Sequence, residues 1–385
     1  MPAPRLLLIG PGHPNLLVLE ALARRRMPPA DVVLVSPEAA QVHSAMAPGF
    51  VEGRYRAEEI TVDLRQLALA AECRLETGKA VRIDAAGRRV LLENGAELPY
   101  DLAVVAVGGA PPGSGIPGAT QHGFSVKPVS RAIELADGLD RLAEPRPEPR
   151  RIAVIGAGAA GVELALCARA RLDRKEASDV IISLFDSRSE LFGGRLPAWS
   201  DLVMRVLAEH DITLRLGVGV TEVGPDFVRL SDGRVQPADL VLCAEGPHPH
   251  ALFRDSGLPV DSHGFLLVDD TLQAQGVAGL LAAGDAVTLA SAPRAPKAGV
   301  FTRRMGEVLV GNLRVALAGT GTGRPYRPQA RTLALLNAGD GRALLFYGPV
   351  ARAAGWAMRL KDRLDRRFMS RFRRPPGGTG ARGGA

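Results

Sequence analysis

Apolar residues fall in short runs bounded by glycine, proline and charged turns, and the runs have two periods. Near-continuous apolar runs at 5–9 (RLLLI), 31–36 (DVVLVS), 102–109 (LAVVAVGG), 152–155 (IAVI), 180–186 (VIISLFD) and 240–246 (LVLCAEG) predict strands buried on both faces, as in a parallel sheet. Helical spacing predicts helices over 16–26, 63–72, 126–142, about 200–210, 297–317 and 351–373. Between 75 and 110 a strand–hairpin–strand pattern runs through Asn94 and Gly95, a hairpin turn signal, and a similar pattern recurs over 213–246. Segments 10–108 and 156–246 therefore read as two copies of one architecture. Two further strands lead to Gly284 and Asp285, and two more lie within 326–348.

The predicted fold class is α/β: two tandem Rossmann-like three-layer nucleotide-binding domains plus a short C-terminal strand/helix segment. The expected boundaries are 1–115 for the first domain and 116–249 for the second, with 250–325 following them. Residues 326–374 form the C-terminal segment with a basic amphipathic helix, and 375–385 a disordered tail rich in glycine. At 385 residues the chain exceeds one ordinary core. No apolar run reaches 18 residues, and the start MPAPRLLLIGPG reads as a strand and glycine turn rather than a signal peptide.

The most specific motif is RIAVIGAGAAGVE at 151–163. Gly156, Gly158 and Gly161 complete G-x-G-x-x-G between a strand and a helix. The first glycine permits a tight turn, the second lets the backbone approach a pyrophosphate, and the third lets helix and strand pack closely. Asp186 ends the next strand, placed to accept the ribose hydroxyls of NAD and to repel the 2′-phosphate of NADPH. Arg188, two residues on, softens that preference. GPGHPN is a second such turn, with Gly10 and Gly12 in place and Asn15 where the third glycine would stand. Its following strand ends at Ser36 instead of an acid, so a hydroxyl, a backbone group or Glu38 would hold the ribose.

Two tandem nucleotide units followed by AAGD resemble the two-dinucleotide-binding-domain flavoproteins, and among them the type II NADH dehydrogenases. The chain is similar, closer still, to the flavoprotein module fused in some bacteria to selenide, water dikinase. GPGHPNLLVL, HSAMAPGFVEGRY, KAVRID, YDLAVVAVGG, VIGAGAAGVELA, LLAAGD, APKAGV and LKDRLDRRFMSRF carry the resemblance. It implies a discontinuous first domain, 1–115 with 250–325, and FAD on Gly10, Gly12, Asn15, Ser36, Val81, Gly108, Gly284 and Asp285, with Lys297, Ala298 and Gly299 starting a helix beside the isoalloxazine. It implies NADH on Gly156, Gly158, Gly161, Glu163, Asp186 and Gly246. The glutamines that type II dehydrogenases place near the quinone are absent; Arg303, Arg304 and Met305 stand there, which leaves the acceptor open.

Cys73, Cys167 and Cys243 are far apart and form no C-x-x-C, so thiol–disulfide exchange and a cysteine-built metal site are not expected, and a reducing cytoplasmic setting is. Hydride transfer from NADH to FAD, then electron transfer to a quinone or other small acceptor, is the expected chemistry. The alternatives are a soluble reductase serving selenium or sulfur metabolism and an NADH-responsive sensor without turnover. His43, in a loop that the resemblance places near the flavin, and Lys127, at the start of a helix in a chain with five lysines among 48 basic residues, are the candidate catalytic side chains.

The net charge of +7 resides in the tail: 352–374 carries nine Arg/Lys and two Asp. Trp356, Leu360, Leu364, Phe368 and Phe372 recur every four residues among these arginines. Such a helix suits an anionic membrane surface, on the inner face of the cell membrane, or else packs on the body or on a second copy of the chain. No nucleic-acid motif accompanies the charge.

Overall fold

The computed structural model describes residues 3–194 and 196–373; the tail expected to be disordered at 375–385 lies outside them. Two five-stranded sheets organise the chain. In the first, Arg5–Ile9 is central, with Asp31–Ser36 and Cys73–Thr77 on one side and Leu102–Val105 and Leu280–Ala282 on the other. All its pairings are parallel. In the second, Arg151–Ile155 is central, flanked by Ile181–Asp186 and Ile212–Leu216, and by Leu240–Cys243 and Gly123–Phe124. These are parallel too.

The duplication extends to the three-stranded antiparallel sheets. Ala80–Asp84, Arg89–Leu92 and Glu97–Pro99 match Val220–Val223, Phe227–Leu230 and Val235–Pro237. Each copy carries an irregularity in its first strand, at Val81 between Ala80 and Arg82, and at Thr221 between Val220 and Glu222. A residue skipped by the ladder keeps backbone groups free for another partner. The copies also exchange edges. The first sheet takes its outer strand from 280–282, beyond the second unit, and the second takes Gly123–Phe124 from before it.

Several expected boundaries shift, and the helix expected over 16–26 spans His13–Ala23. The helix expected from 126 spans Val129–Leu142, because Pro128 caps it and leaves Lys127 in the preceding extended segment. The helix expected from 297 spans Gly299–Ala318, so Lys297 precedes it. The final helix spans Gly355–Arg373, because Val350–Ala354 pairs antiparallel with Ala343–Tyr347. The alanine-rich run 351–354 favours helix locally, but Gly348, at φ +54°, reverses the chain and lays that run on the sheet. Leu333–Asn337 completes this sheet.

The C-terminal segment clamps both units. Leu336, Leu344 and Phe346 enter the core of the second unit, while Phe368, Met369 and Phe372 enter that of the first. Among the described residues, no helix is long and apolar enough to cross a membrane.

Candidate functional site

Each glycine turn lies against a chain crossing: a Cβ on Gly10 would lie 2.7 Å from Val107 Cα, and one on Gly156 would lie 2.9 Å from Glu245 Cα. Gly10 (φ +84°) and Gly156 (φ +97°) make the corresponding turns, donating to Val35 O at 2.9 Å and Phe185 O at 2.7 Å. The helices that follow, His13–Ala23 and Ala159–Asp173, are capped by Gly12 and Gly158 without a side-chain hydrogen bond. Their first amides are therefore available to an anion, and the helix dipole favours one.

Close approach is solved differently in the two copies. A Cβ on Gly161 would lie 1.7 Å from Gly156 O, so the second turn needs its third glycine. In the first turn the contact falls on Gly12, where a Cβ would lie 2.3 Å from Ala106 O. The corresponding third position holds Asn15, fully buried, whose Nδ2 donates to Gly10 O at 2.8 Å. A side-chain hydrogen bond thus staples the turn that glycine closes by contact in the other copy.

The chain crossings at 106–110 and 244–248 are pinned together: Ala110 N donates to His248 O at 2.8 Å, and a Cβ on Gly109 would meet Pro247 Cβ at 2.4 Å. This brings the open ends of the two sheets to one place. Beside them, side chains at Gly108, Gly158 or Gly246 would meet nothing within 4 Å, which is space that a dinucleotide can use.

From the far end of the chain, Gly284 (φ +99°) brings Asp285 beside the first turn; a Cβ on Gly284 would lie 3.7 Å from Pro14 Cγ. Thr302 Oγ1 donates to Asp285 Oδ1 at 2.9 Å and fixes the carboxylate. Lys127 stands in its field: enclosure by protein lowers the Lys127 amine from its ordinary value, and Asp285 opposes that shift. Its side chain keeps exposed surface within this enclosure, as expected of a cleft wall. Lys297 turns instead to the preceding strand. It donates to Val287 O and to Thr288 Oγ1 and lies 3.8 Å over the Phe265 ring. Burial pushes its amine down to about 8. Ala298 caps the helix that begins at Gly299.

Several residues point elsewhere than the sequence suggests. Ser36 is fully buried, and its hydroxyl donates to Glu38 O at 2.6 Å, so it closes a turn and has no surface for a ribose; the Glu38 side chain is exposed. Glu163 is buried away from the glycine turn. It accepts from Asn337 N at 2.8 Å and lies 3.5 Å from Lys361 Nζ, so it supports the C-terminal segment. Asp186 is occupied on both oxygens, by Ala157 N at 2.8 Å and by Arg188 N and guanidinium. Despite burial, those partners hold its carboxyl below the usual range.

His43 is buried beside His13 of the first glycine turn. Its Nδ1 lies 3.1 Å from His13 Nε2, and its Nε2 lies 3.5 Å from Asp365 Oδ1 on the C-terminal helix. Phe368 covers both rings, at 5.2 Å from His13 and 4.9 Å from His43. Lys361 Nζ joins Asp365 Oδ2 at 2.9 Å and Ala45 O at 2.6 Å. Burial works against this ammonium, but Glu163 and Asp365 outweigh it and hold the lysine charged. Sequence reading missed His13, Asp365 and Lys361. The available signals were a histidine inside a glycine turn and a scarce lysine within an arginine-rich helix. Cys73, Cys167 and Cys243 are free and buried, and burial raises all three thiols, Cys73 and Cys243 to about 12.

Comparison with known proteins agrees with this geometry. Residues 4–299 match the family model described as pyridine nucleotide-disulphide oxidoreductase, and the chain belongs to that family. An NADH dehydrogenase-like protein of Mycobacterium tuberculosis is 32% identical over 216 residues, 54% of either chain, so this chain spans about half the length of that curated relative. Demethylphylloquinone reductase of Synechocystis is 27% identical over 294 residues, 73% of this chain and 71% of the relative. Among solved structures, sulfide:quinone oxidoreductase from Aquifex aeolicus matches with TM-score 0.81 at 19% identity, covering 97% of this chain and 92% of that one. NDH2 from Plasmodium falciparum in complex with NADH matches with TM-score 0.77 at 14% identity, covering 96% and 98%. The two structures share the fold.

Proposed function

We propose that this member of the pyridine nucleotide-disulphide oxidoreductase family binds FAD in its first unit and NADH in its second, and passes electrons from NADH to a quinone. The observation that carries this reading is the pinned pair of crossings, Ala110 on His248, which joins two glycine-turn units whose helices have no side-chain cap. The names of the Mycobacterium and Synechocystis relatives support the electron donor and the acceptor class respectively.

FAD, when bound, supplies a hydride acceptor that returns electrons to a second substrate. The residues present fit it. The Gly12-capped helix would take the pyrophosphate, Val81 in its ladder irregularity would offer backbone groups to the adenine, and Gly108 leaves the chain open where the cofactor passes. Asp285, fixed by Thr302, would accept hydroxyl donors, and with Ser36 withdrawn the exposed Glu38 would take the ribose. On this reading residues 1–115 with 250–325 serve FAD, 116–249 serve NADH through Gly156, Gly158, Gly161, Asp186 and Gly246, and 326–374 close the site. Lys127 sets positive charge beside Asp285.

The exposed side of the C-terminal helix supports a place on an anionic membrane surface. Phe368 and Phe372 are spent on the body, but Trp356 (47% exposed) and Leu364 (40%) face outward with Arg359, Arg363 and Arg367. The same face would serve a homodimer.

Stopped-flow reduction of the yellow holoprotein by NADH, followed by mixing with a short-chain quinone, tests the reading. Rapid bleaching and rapid recovery are expected. Bleaching with slow recovery by every quinone would sink the acceptor and favour a reductase for another small substrate or a sensor. A colourless protein would sink the whole reading.

A further inference from the structure

We propose that His13, His43 and Asp365 form a proton-holding array, in which His13 hands one proton to the acceptor in each turnover while His43 and Asp365 position it. This rests on the reading of the cleft as an NADH–flavin–quinone site. The stoichiometry requires such a group. NADH delivers a hydride, two electrons and one proton, and a quinone leaves as a quinol with two new O–H bonds. The second proton comes from solvent through the protein, and NAD⁺ departs.

The charges around the pair assign the protons. Asp365 is an acceptor held ionised by Lys361 at 2.9 Å, and it lies 3.5 Å from His43 Nε2, a buried nitrogen with no closed hydrogen bond, so the hydrogen is assigned to Nε2. With that tautomer a lone pair on His43 Nδ1 faces His13 Nε2, 3.1 Å away, which is assigned as its donor. This leaves His13 Nδ1 as the one basic nitrogen of the array. His43 is almost fully buried and Asp365 nearly so, whereas His13 is half-buried and belongs to the glycine turn itself. The array thus runs from the interior of the clamp to the wall of the cleft.

Two imidazolium rings 3.1 Å apart would oppose each other's N–H groups and charges, so the pair holds one added proton at most. The surroundings make that proton easy to release. Burial, His43 and Lys127 disfavour His13 imidazolium, with Asp365 opposing them, and the positive end of helix His13–Ala23 adds to the effect. Lys127 comes from the segment before Val129–Leu142, and its field is partly cancelled by Asp285. On the C-terminal helix, Lys361 is shared between Asp365 and Glu163. Arg303 and Arg371 lie 5.9 Å from the centre of the Phe368 ring, which covers the imidazoles. Asp365 lies 352 positions beyond His13 in the chain, so the array exists only when the C-terminal helix is docked.

The test uses the full-length holoprotein, H13Q and D365N. Nitrogen-15 spectra of labelled histidine should show His43 and His13 protonated at Nε2 in the wild type, with His43 shifting toward Nδ1–H in D365N. Stopped-flow oxidation of the NADH-reduced protein by a short-chain quinone, from about pH 5 to about pH 9, should slow about tenfold or more in both variants and lose an ionisation. A wild-type His43 protonated at Nδ1 overturns the array. So does an unchanged oxidation profile in D365N, even if H13Q fails to retain flavin, because His13 is then a phosphate contact only. A wild-type flavin that NADH does not reduce defeats the functional reading instead, and the nitrogen spectra still decide the array.

Discussion

Asp186 and Arg188 form a closed two-point pair at the end of strand Ile181–Asp186, with Nε 2.9 Å from Oδ1 and a terminal nitrogen 2.7 Å from Oδ2. The carboxylate expected to repel a 2′-phosphate is thus partly neutralised by the group that would attract one. Arg188→Ala should uncover the charge and lower kcat/KM for NADPH by about tenfold or more, the equivalent of about 1.4 kcal/mol, with a smaller effect for NADH. Steady-state kinetics with both nucleotides checks this; equal losses would mean that the arginine does not discriminate.

The two glycine turns should fail in different half-reactions. Gly161→Ala forces a Cβ to within 1.7 Å of a backbone oxygen. It should abolish bleaching by NADH while the visible flavin spectrum persists. Gly12→Ala, at 2.3 Å from Ala106 O, should instead yield protein without flavin. Asn15→Ala removes the buried donor to Gly10 O and should cost about 1–3 kcal/mol of stability.

Lys361 holds the clamp. Lys361→Met leaves Asp365 and Glu163 buried without their shared cation and should destabilise the protein by about 3–5 kcal/mol in urea unfolding. Adding Glu163→Gln should recover part of that loss. If the single variant unfolds at the wild-type midpoint, the network does not hold the helix.

The C-terminal helix should divide into two faces. Trp356→Ser with Leu364→Ser, both on exposed positions, should prevent pelleting with anionic liposomes at nearly unchanged stability. Phe368→Ala, in the first core, should cost about 3–5 kcal/mol. Unchanged pelleting of the double variant would assign the outer face to another partner.

His13 should give stability a pH dependence of predictable sign. Its imidazole is held well below its ordinary value in the folded chain, chiefly by burial. The unfolded chain therefore binds the extra proton between the folded value and about 6.5. Stability is complete above about pH 6.5 and falls as the pH is lowered through that window. In His13→Gln the fall should lessen by up to one proton's worth of slope, about 1.4 kcal/mol per pH unit. Urea midpoints at several pH values measure it.

Much of the architecture was legible because its signals are local. A buried parallel strand must be an apolar run, and Arg5–Ile9 and Asp31–Ser36 occupy the predicted positions. A pyrophosphate turn must contain glycine, so Gly10, Gly12, Gly156, Gly158 and Gly161 stand out. Boundaries slipped where local preference met tertiary pairing, as at Val350–Ala354.

What the sequence by itself determined was the pair of glycine turns, their strands and the duplicated plan, because each depends on the residues next to it. The tertiary structure alone decided which polar groups face the cleft. It turned Glu163 to Asn337 and Lys361, and joined His13 and His43 to Asp365. Those partners lie 30 to 352 positions apart in the chain. A hydrogen bond or ion pair acts over a few ångströms of space and leaves no period in the sequence.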